Sequence, residues 1–209
     1  MNQSNAIRVL VVDDHPVVCR GLVMMLEEVP GIIVVGQAEN GREALAIFSQ
    51  QQPDVTLMDL RMPEMDGVTA ITAIRAEFPT ARIIVLTTYD GDEDIYRALH
   101  AGAKGYLLKD VEPEILLNAI HIVLREQQYI PHQVAAKLVQ RMNHQELSQR
   151  ELEVLQLIAQ GMSNLEIGAA LNISEGTVKS NINRIFSKLG AKDRTHATII
   201  ALKRGIASF

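Results

Sequence analysis

Short apolar runs alternate with longer amphipathic segments through the first 125 residues of the chain. The runs are rich in β-branched residues and bounded by polar ones, a pattern typical of buried strands in a parallel sheet. The segments between them repeat apolar residues at the spacing of one helix face. Strands are predicted at 7–12, 32–36, 55–59, 83–87 and 105–108, and helices at about 16–28, 41–50, 67–77, 93–101 and 113–125. This α/β alternation predicts a five-stranded parallel sheet with right-handed crossovers and helices on both faces.

The pattern changes after residue 126. Residues 127–146 are polar at both ends and contain one short helical pattern after Pro131, so we interpret them as a linker that carries one helix. Residues 147–209 have a helical pattern throughout. The sequence therefore predicts two domains, 1–126 and 147–209, joined by this linker.

Four helices are predicted in the second domain, which is all-α. Two serine and glutamate pairs at capping-box spacing, Ser148 with Glu151 and Ser163 with Glu166, mark the first two helix starts. Ser174 can cap a third helix. The second helix is expected to bury Ile167, Ala170 and Leu171, the third to bury Val178, Ile182, Ile185 and Leu189, and the fourth to run from about 195 to 204.

Composition and charge narrow the class of protein. Of the 209 residues, 47% are hydrophobic, enough for a core in each domain. Because no apolar run approaches the roughly 20 residues of a membrane span, and the first residues lack the apolar stretch of a signal peptide, we expect a soluble, cytoplasmic protein. Residues 1–130 carry 10 Lys and Arg against 19 Asp and Glu, whereas residues 147–209 carry 8 against 5. The acidic half suits a divalent cation and the basic half a polyanion.

Four of the predicted strands end in polar residues that suit phosphoryl chemistry. Asp13 and Asp14 follow the first strand, Asp59 ends the third, and Thr87 and Lys109 end the last two. One aspartate at a strand end is more often a helix cap, but the ends of parallel strands meet at one sheet edge. Carboxylates there can hold Mg²⁺, a lysine and a hydroxyl can bind phosphoryl oxygens, and an aspartate can be a nucleophile that forms an acyl phosphate.

Three segments resemble the receiver domains of two-component response regulators. They are Val11–His15, Met58–Gly67 and Ala101–Asp110, and the resemblance covers nearly all of residues 6–126. It implies a flavodoxin-like sheet with strand order 2-1-3-4-5 and Asp59 as the phosphoacceptor.

The resemblance also implies roles for individual residues around the phosphoacceptor. A Mg²⁺ ion is held by Asp13, Asp14, Asp59 and the backbone carbonyl of Arg61. Thr87, Lys109 and Tyr106 respond to the phosphoryl group, with Thr87 and Tyr106 as the switch, and Arg61 and Tyr89 influence the lifetime of the acyl phosphate.

The second domain resembles the DNA-binding domain of the NarL/FixJ (LuxR-type) regulators. The segments that carry the resemblance are Leu147–Leu155, Gly161–Ile167 and Gly176–Ile182. Their spacing fits a scaffold helix, a turn and a recognition helix, which enters the major groove of duplex DNA. The predicted DNA contacts, all on the third helix, are Thr177, Lys179, Ser180, Asn181, Asn183, Arg184 and Lys188. Asn181 stands where the family often has histidine, and an amide can also bond a phosphate or a base edge.

The function expected from these features is a transcription factor controlled by phosphorylation. A sensor histidine kinase would phosphorylate Asp59, and the protein would then bind double-stranded DNA as a homodimer, without a membrane. Three alternative functions fit the sequence less well. A haloacid-dehalogenase-like phosphatase needs an aspartate where this chain has Arg61, so no turnover of external substrates is expected. A ligand-sensing LuxR-type activator lacks the aspartate cluster, and a receiver that no longer accepts phosphate would have lost some of the five positions that this chain retains.

Overall fold

Five parallel strands form the centre of the first half of the chain, in a computed structural model that describes residues 6–88, 91–142, 147–203 and 206. Tyr89 lies outside the described residues. The strands are β1 (Ile7–Val12), β2 (Ile32–Ala38), β3 (Val55–Met58), β4 (Ile83–Thr87) and β5 (Gly105–Leu108). They pair in the order β2-β1-β3-β4-β5, which confirms the predicted topology. In this register Val12 lies opposite Met58 and Thr87 opposite Leu108, so the polar residues that follow the strands lie at one edge of the sheet.

Helices cover both faces of the sheet because its residues are apolar on both sides. One face carries α1 (Pro16–Glu27) and α5 (Pro113–Leu124), which bury residues such as Leu26 and Ile120. The other face carries α2 (Gly41–Gln51), α3 (Gly67–Glu77) and α4 (Asp92–His100), which bury residues such as Phe48, Ile71 and Ile95. The caps follow local chemistry, since Asn40 and Asp66 accept hydrogen bonds from the backbone at the starts of α2 and α3.

The chain after α5 returns to the sheet instead of leaving it. Tyr129 forms a parallel bridge with Gly105 at the outer edge of β5, and α6 (His132–Met142) follows. The chain divides into two compact units, Met1–Leu138 and Val139–Phe209. The first part of the predicted linker thus belongs to the first unit, which differs from the predicted boundary at residue 126.

The second unit consists of α7 (Gln149–Ala159), α8 (Asn164–Leu171), α9 (Glu175–Leu189) and α10 (Arg194–Lys203). Both predicted capping boxes are confirmed at the starts of α7 and α8. All four predicted core residues of α9 are buried. In α8, Ile167 is buried, but Ala170 is exposed and Gly168 is buried in its place. None of the described helices has both the length and the apolar character needed to cross a lipid bilayer.

Candidate functional site

Three strand ends bring two carboxylates and one ammonium group into direct contact. Lys109, after β5, places its Nζ atom 2.6 Å from Oδ2 of Asp59 and 2.7 Å from Oδ2 of Asp13. All three side chains are nearly inaccessible to solvent, at 8% exposure for Lys109 and 2–4% for the two aspartates. The contact therefore lies in a low-dielectric setting, where charge interactions are strong.

The carboxylates that contact Lys109 keep its ammonium group protonated. Burial by itself lowers the pKa of the Lys109 ammonium, but hydrogen bonds and charge interactions with Asp13 and Asp59 outweigh burial, so the pKa lies above its usual value. Lys109 is thus a fixed positive charge beside the Asp59 carboxylate.

The backbone positions the other oxygen of Asp59. Its Oδ1 accepts a hydrogen bond from the amide of Leu60 at 2.6 Å and lies 3.5 Å from the amide nitrogen of Arg61. Gly67, at the start of α3, packs directly behind this strand end, since a Cβ atom added to Gly67 would lie 2.1 Å from the Asp59 carbonyl oxygen. Only a residue without a side chain allows α3 to begin so close to the aspartate.

The donor set beside Asp59 suits a hard divalent cation. Asp13, Asp14, His15 and Asp59 offer ligand atoms that lie within 4.8 Å of one another. Oδ1 of Asp14 is buried and has no hydrogen-bond partner among the described residues. It does lie 2.8 Å from Nδ1 of His15, a charge contact if the imidazole is protonated. Because a buried carboxylate oxygen without a hydrogen bond is costly, and carboxylate oxygens are preferred Mg²⁺ ligands, the residues fit a Mg²⁺ ion.

The two predicted switch residues lie on one face of the sheet. Thr87 ends β4 and Tyr106 is in β5, and both are fully buried. Val85 pairs with Tyr106 in the register, and alternation along the strand puts Thr87 on the same face as Val85. Thr87 and Tyr106 therefore both face the side of the sheet that is covered by α2, α3 and α4.

Arg61 contacts the helix that follows β4. Its guanidinium group lies 3.1 Å from Oδ2 of Asp94, in the first turn of α4. This pair connects the loop after Asp59 to α4, and the sequence contained no signal for it.

The predicted recognition helix is α9, which presents a polar face to solvent. Five of the seven predicted DNA contacts are exposed on this helix, namely Thr177, Lys179, Ser180, Asn183 and Arg184. Lys179 forms a surface ion pair with Glu175 at 2.9 Å, an interaction that is weak in water. These side chains are therefore accessible to a polyanion.

The other two predicted DNA contacts, Asn181 and Lys188, have partners within the domain. Asn181 is 8% exposed, and its amide donates a hydrogen bond to the Thr177 carbonyl oxygen at 2.8 Å. Lys188 places Nζ 2.7 Å from Oε2 of Glu151, whose side chain is 4% exposed. Both residues flank the apolar stripe of α9, so they stabilise the domain and do not lie on the exposed face.

Comparison with known proteins identifies both halves of the chain. Residues 9–121 match the response regulator receiver domain, and residues 145–201 match the bacterial regulatory proteins of the luxR family. The chain belongs to the NarL/FixJ family of response regulators.

Full-length relatives agree with this assignment. The regulator is 39% identical to the nitrate/nitrite response regulator protein NarP of Escherichia coli (strain K12), with 98% of each chain covered. It is 38% identical to the uncharacterized transcriptional regulatory protein YxjL of Bacillus subtilis (strain 168), with 99% of each chain covered. A structure of the response regulator RcsB of Salmonella typhimurium matches with a TM-score of 0.83 and 30% identity, covering 92% of this chain and 98% of that one. RcsB dimers bound to DNA match with a TM-score of 0.78 and 30% identity, covering 95% and 99%.

Two functional features of this response regulator were missed by sequence reasoning. The sequence shows Gly67 only as the last residue of the segment Met58–Gly67, whereas the structure shows that it lets α3 approach Asp59 closely. The capping-box spacing predicts the capping role of Glu151 but not its contact with Lys188, which lies 37 residues later in the chain, on another helix. No local pattern predicts such a contact.

Proposed function

We propose that the protein is a transcription regulator that a sensor histidine kinase switches on by phosphorylating Asp59. The observation that carries this proposal is the contact of Lys109 with Asp59 and Asp13 at the edge of the sheet. The family of the chain supports the same conclusion.

The proposed reaction is a transfer between two nucleophiles. An oxygen of the Asp59 carboxylate attacks phosphorus, an acyl phosphate O–P bond forms, and the P–N bond to the kinase histidine breaks. The released electron pair stays on the imidazole nitrogen, which is then protonated. Oδ2 of Asp59 is the oxygen that faces Lys109, whereas Oδ1 is held by the Leu60 amide, so we assign Oδ2 as the nucleophile.

Lys109 and the acidic residues have complementary roles in this transfer. The Lys109 ammonium, already beside Oδ2, stabilises negative charge on the phosphoryl oxygens. Asp13, Asp14 and Asp59, with the Arg61 carbonyl, would hold Mg²⁺, which neutralises phosphoryl charge when bound. Arg61 stands where a hydrolytic acid or base would be needed, and a guanidinium group does not exchange its proton at neutral pH. We therefore propose no turnover of external substrates.

The output is binding of duplex DNA by α9. The exposed face of this helix carries Lys179 and Arg184, which can bind phosphates or guanine edges, beside the smaller polar groups of Thr177, Ser180 and Asn183. A domain of this size makes few contacts, so we propose that phosphorylation promotes a homodimer that binds two half-sites. The DNA-bound dimers of RcsB support this arrangement.

Phosphodonor labelling tests the proposal directly. Acetyl phosphate with Mg²⁺ should add one phosphoryl group to the wild-type protein, located at Asp59 by mass spectrometry, and chelation of Mg²⁺ should prevent it. Asp59→Asn should abolish labelling, because an amide cannot form the acyl phosphate.

The matched control is Asp110→Asn, which removes the exposed carboxylate next to Lys109 in the sequence. This variant should be labelled like the wild type. Labelling of Asp59→Asn at the wild-type level would refute the assignment of the phosphoacceptor.

A further inference from the structure

One side chain at the acidic site offers a nitrogen atom, whereas the carboxylates of Asp13, Asp14 and Asp59 offer oxygen. His15 follows the first two aspartates in the chain. Its Nδ1 atom lies 2.8 Å from Oδ1 of Asp14 and 3.4 Å from Oδ1 of Asp13. Phosphoryl transfer to Asp59, as proposed above, uses no atom of this imidazole.

The backbone holds His15 beside the carboxylates. His15 precedes Pro16, the first residue of α1, and a residue before proline is restricted to extended conformations. Its φ and ψ angles are −96° and 105°, and its side chain makes no hydrogen bond that caps α1. Its amide donates a hydrogen bond to Oδ1 of Asp13 at 3.0 Å. The imidazole is therefore directed to the sheet edge by the chain itself and has no capping role.

The close contact between His15 and Asp14 is not a hydrogen bond. Oδ1 of Asp14 is buried and accepts no hydrogen bond from any described residue, although Nδ1 of His15 is only 2.8 Å away. A ring N–H aligned with this oxygen would satisfy it, so the two atoms are close without the alignment that a shared proton requires. A buried oxygen in this state is costly, and a cation bound by both atoms would remove the cost.

The spacing of these atoms suits one metal ion. With bonds of about 2.1 Å, neighbouring donors lie about 3.0 Å apart around an octahedral ion and about 3.4 Å apart around a tetrahedral one. Nδ1 of His15 lies 2.8 and 3.4 Å from the two carboxylate oxygens. Asp59 belongs to the same group, because one donor atom from each of the four residues lies within 4.8 Å of the others.

The charges at the site suit a divalent cation that binds without displacing Lys109. The site holds three carboxylates against the one ammonium group of Lys109. The ammonium contacts Oδ2 of Asp13 and Oδ2 of Asp59, whereas the imidazole lies beside Oδ1 of Asp13 and Oδ1 of Asp14. The two nitrogen groups thus use different oxygens of the site.

The nitrogen atom decides which class of metal the site prefers. Mg²⁺ is a hard ion that prefers oxygen ligands and keeps its waters, whereas imidazole suits Zn²⁺ and similar transition-metal ions. We propose that His15 is a ligand of the divalent cation at this site, which therefore selects a transition-metal ion such as Zn²⁺ over Mg²⁺. The inference rests on the proposed function, because it uses the same acidic site, and it adds a nitrogen ligand and a metal preference.

Nitrogen NMR on the full chain tests the ligand directly. In protein labelled with ¹⁵N in its six histidines, Zn²⁺ should shift the Nδ1 resonance of His15 strongly, because the metal binds that nitrogen. Saturating Mg²⁺ should leave this resonance nearly unchanged. The exposed His121 of α5 is the internal reference, and neither ion should shift it. This measurement uses the wild-type protein and needs no variant.

Substitutions then test the metal preference. His15→Asn keeps an oxygen donor but removes the ring nitrogen. It should lower Zn²⁺ affinity, measured against a chromophoric chelator, on the order of ten-fold, and Mg²⁺ affinity, measured by NMR titration of backbone amides, less than about two-fold. His121→Asn is the matched control and should change neither affinity. Asp14→Asn removes a charged oxygen ligand and should weaken the binding of both ions.

The outcomes separate the nitrogen ligand from the proposed function. An unshifted Nδ1 resonance of His15 in saturating Zn²⁺, or equal Zn²⁺ affinities of His15→Asn and the wild type, would overturn the role of His15. Labelling of wild-type Asp59 by acetyl phosphate with Mg²⁺ would in that case leave the proposed function standing. Absence of that labelling would instead refute the proposed function, whatever the result with Zn²⁺.

Discussion

Replacing Lys188 with methionine tests whether this residue supports the fold of the second unit or binds DNA. Lys188 Nζ lies 2.7 Å from Oε2 of Glu151, and Glu151 also accepts a hydrogen bond from the Ser148 amide at 2.7 Å. Methionine keeps most of the side-chain volume but removes the charge. Glu151 would then remain buried with its amide partner and without its ammonium partner.

The cost of Lys188→Met follows from this geometry. Removing one member of a fully buried ion pair costs about 3–5 kcal/mol. Lys188 is 22% exposed, and the Ser148 amide stays in place, so we expect a smaller loss of about 2 kcal/mol in the free energy of unfolding of the second unit. This loss corresponds to roughly thirty-fold faster hydrogen exchange of the protected amides of α7.

The effect of Lys188→Met should depend on pH. Burial raises the pKa of Glu151, but the hydrogen bond and charge of Lys188 and the bonds from Ser148 outweigh it, so the pKa lies below its ordinary value of 4.5. A lowered carboxyl pKa contributes stability that is present above pH 4.5 and lost as the pH falls through the folded-state pKa. The difference between wild type and variant should thus be largest at neutral pH and should narrow below about pH 4.5.

Lys179→Met is the matched control, since Lys179 is on the same helix and its ion pair with Glu175 is on the surface. It should leave exchange in α7 unchanged and lower the salt dependence of DNA binding by about one unit if Lys179 contacts a phosphate. Lys188→Met should speed up exchange in α7 and leave the salt dependence of DNA binding unchanged. A reduced salt slope with unchanged α7 exchange in Lys188→Met would refute the structural role and restore Lys188 as a DNA contact.

Three further predictions follow from single contacts. Gly67→Ala should displace the Asp59 strand end and strongly reduce labelling by acetyl phosphate, because its Cβ atom would lie 2.1 Å from a backbone oxygen. The control Gly21→Ala, whose Cβ atom would have nothing within 4 Å, should keep labelling and stabilise α1 by about 0.5–1 kcal/mol in urea unfolding. Equal labelling of both variants would contradict the packing role of Gly67. Lys109→Ala should slow labelling without abolishing it, because the ammonium that stabilises the phosphoryl oxygens is lost. It should also weaken the gain in DNA affinity caused by beryllofluoride, a mimic of the phosphoryl group, and an undiminished gain would exclude Lys109 from the switch. Arg184→Ala should lower the DNA affinity and the salt dependence of that affinity in a filter-binding titration. The control Arg42→Ala, which removes an exposed arginine of the receiver, should change neither. Equal effects of the two variants would show that net charge, and not α9, governs DNA binding.

The receiver was predictable from sequence because its signals are local. Buried parallel strands are continuous apolar runs, and the residue after each run lies at the sheet edge whatever the packing of the helices. The structure accordingly brings Asp13, Asp59 and Lys109 into contact. The bridge between Tyr129 and β5 was not predictable, because Tyr129 pairs through its backbone, and its side chain carries no pattern that distinguishes an edge bridge from a loop.

The inward positions of Asn181 and Lys188 have one geometric cause. The two residues are seven positions apart, so they lie one above the other at the border of the apolar stripe, which contains Val178, Ile182 and Ile185. At such a border the packing of neighbouring helices decides whether a polar side chain faces inward. In α8, Gly168 lets the Ile173 carbonyl oxygen approach to 2.8 Å from the position that a Cβ atom would take, and Gly168 is buried where Ala170 was predicted to be.

The contacts of Lys109 limit which elements can drive the switch. A ligand shifts an equilibrium only through the difference between its interactions in the two states. Lys109 is already paired with Asp59 and Asp13 before transfer, and it would pair with phosphoryl oxygens afterwards, so much of its interaction energy cancels. A shift from mostly inactive to mostly active protein requires a difference of about 5.5 kcal/mol. That difference has to come from groups whose contacts are made or lost when Asp59 is phosphorylated.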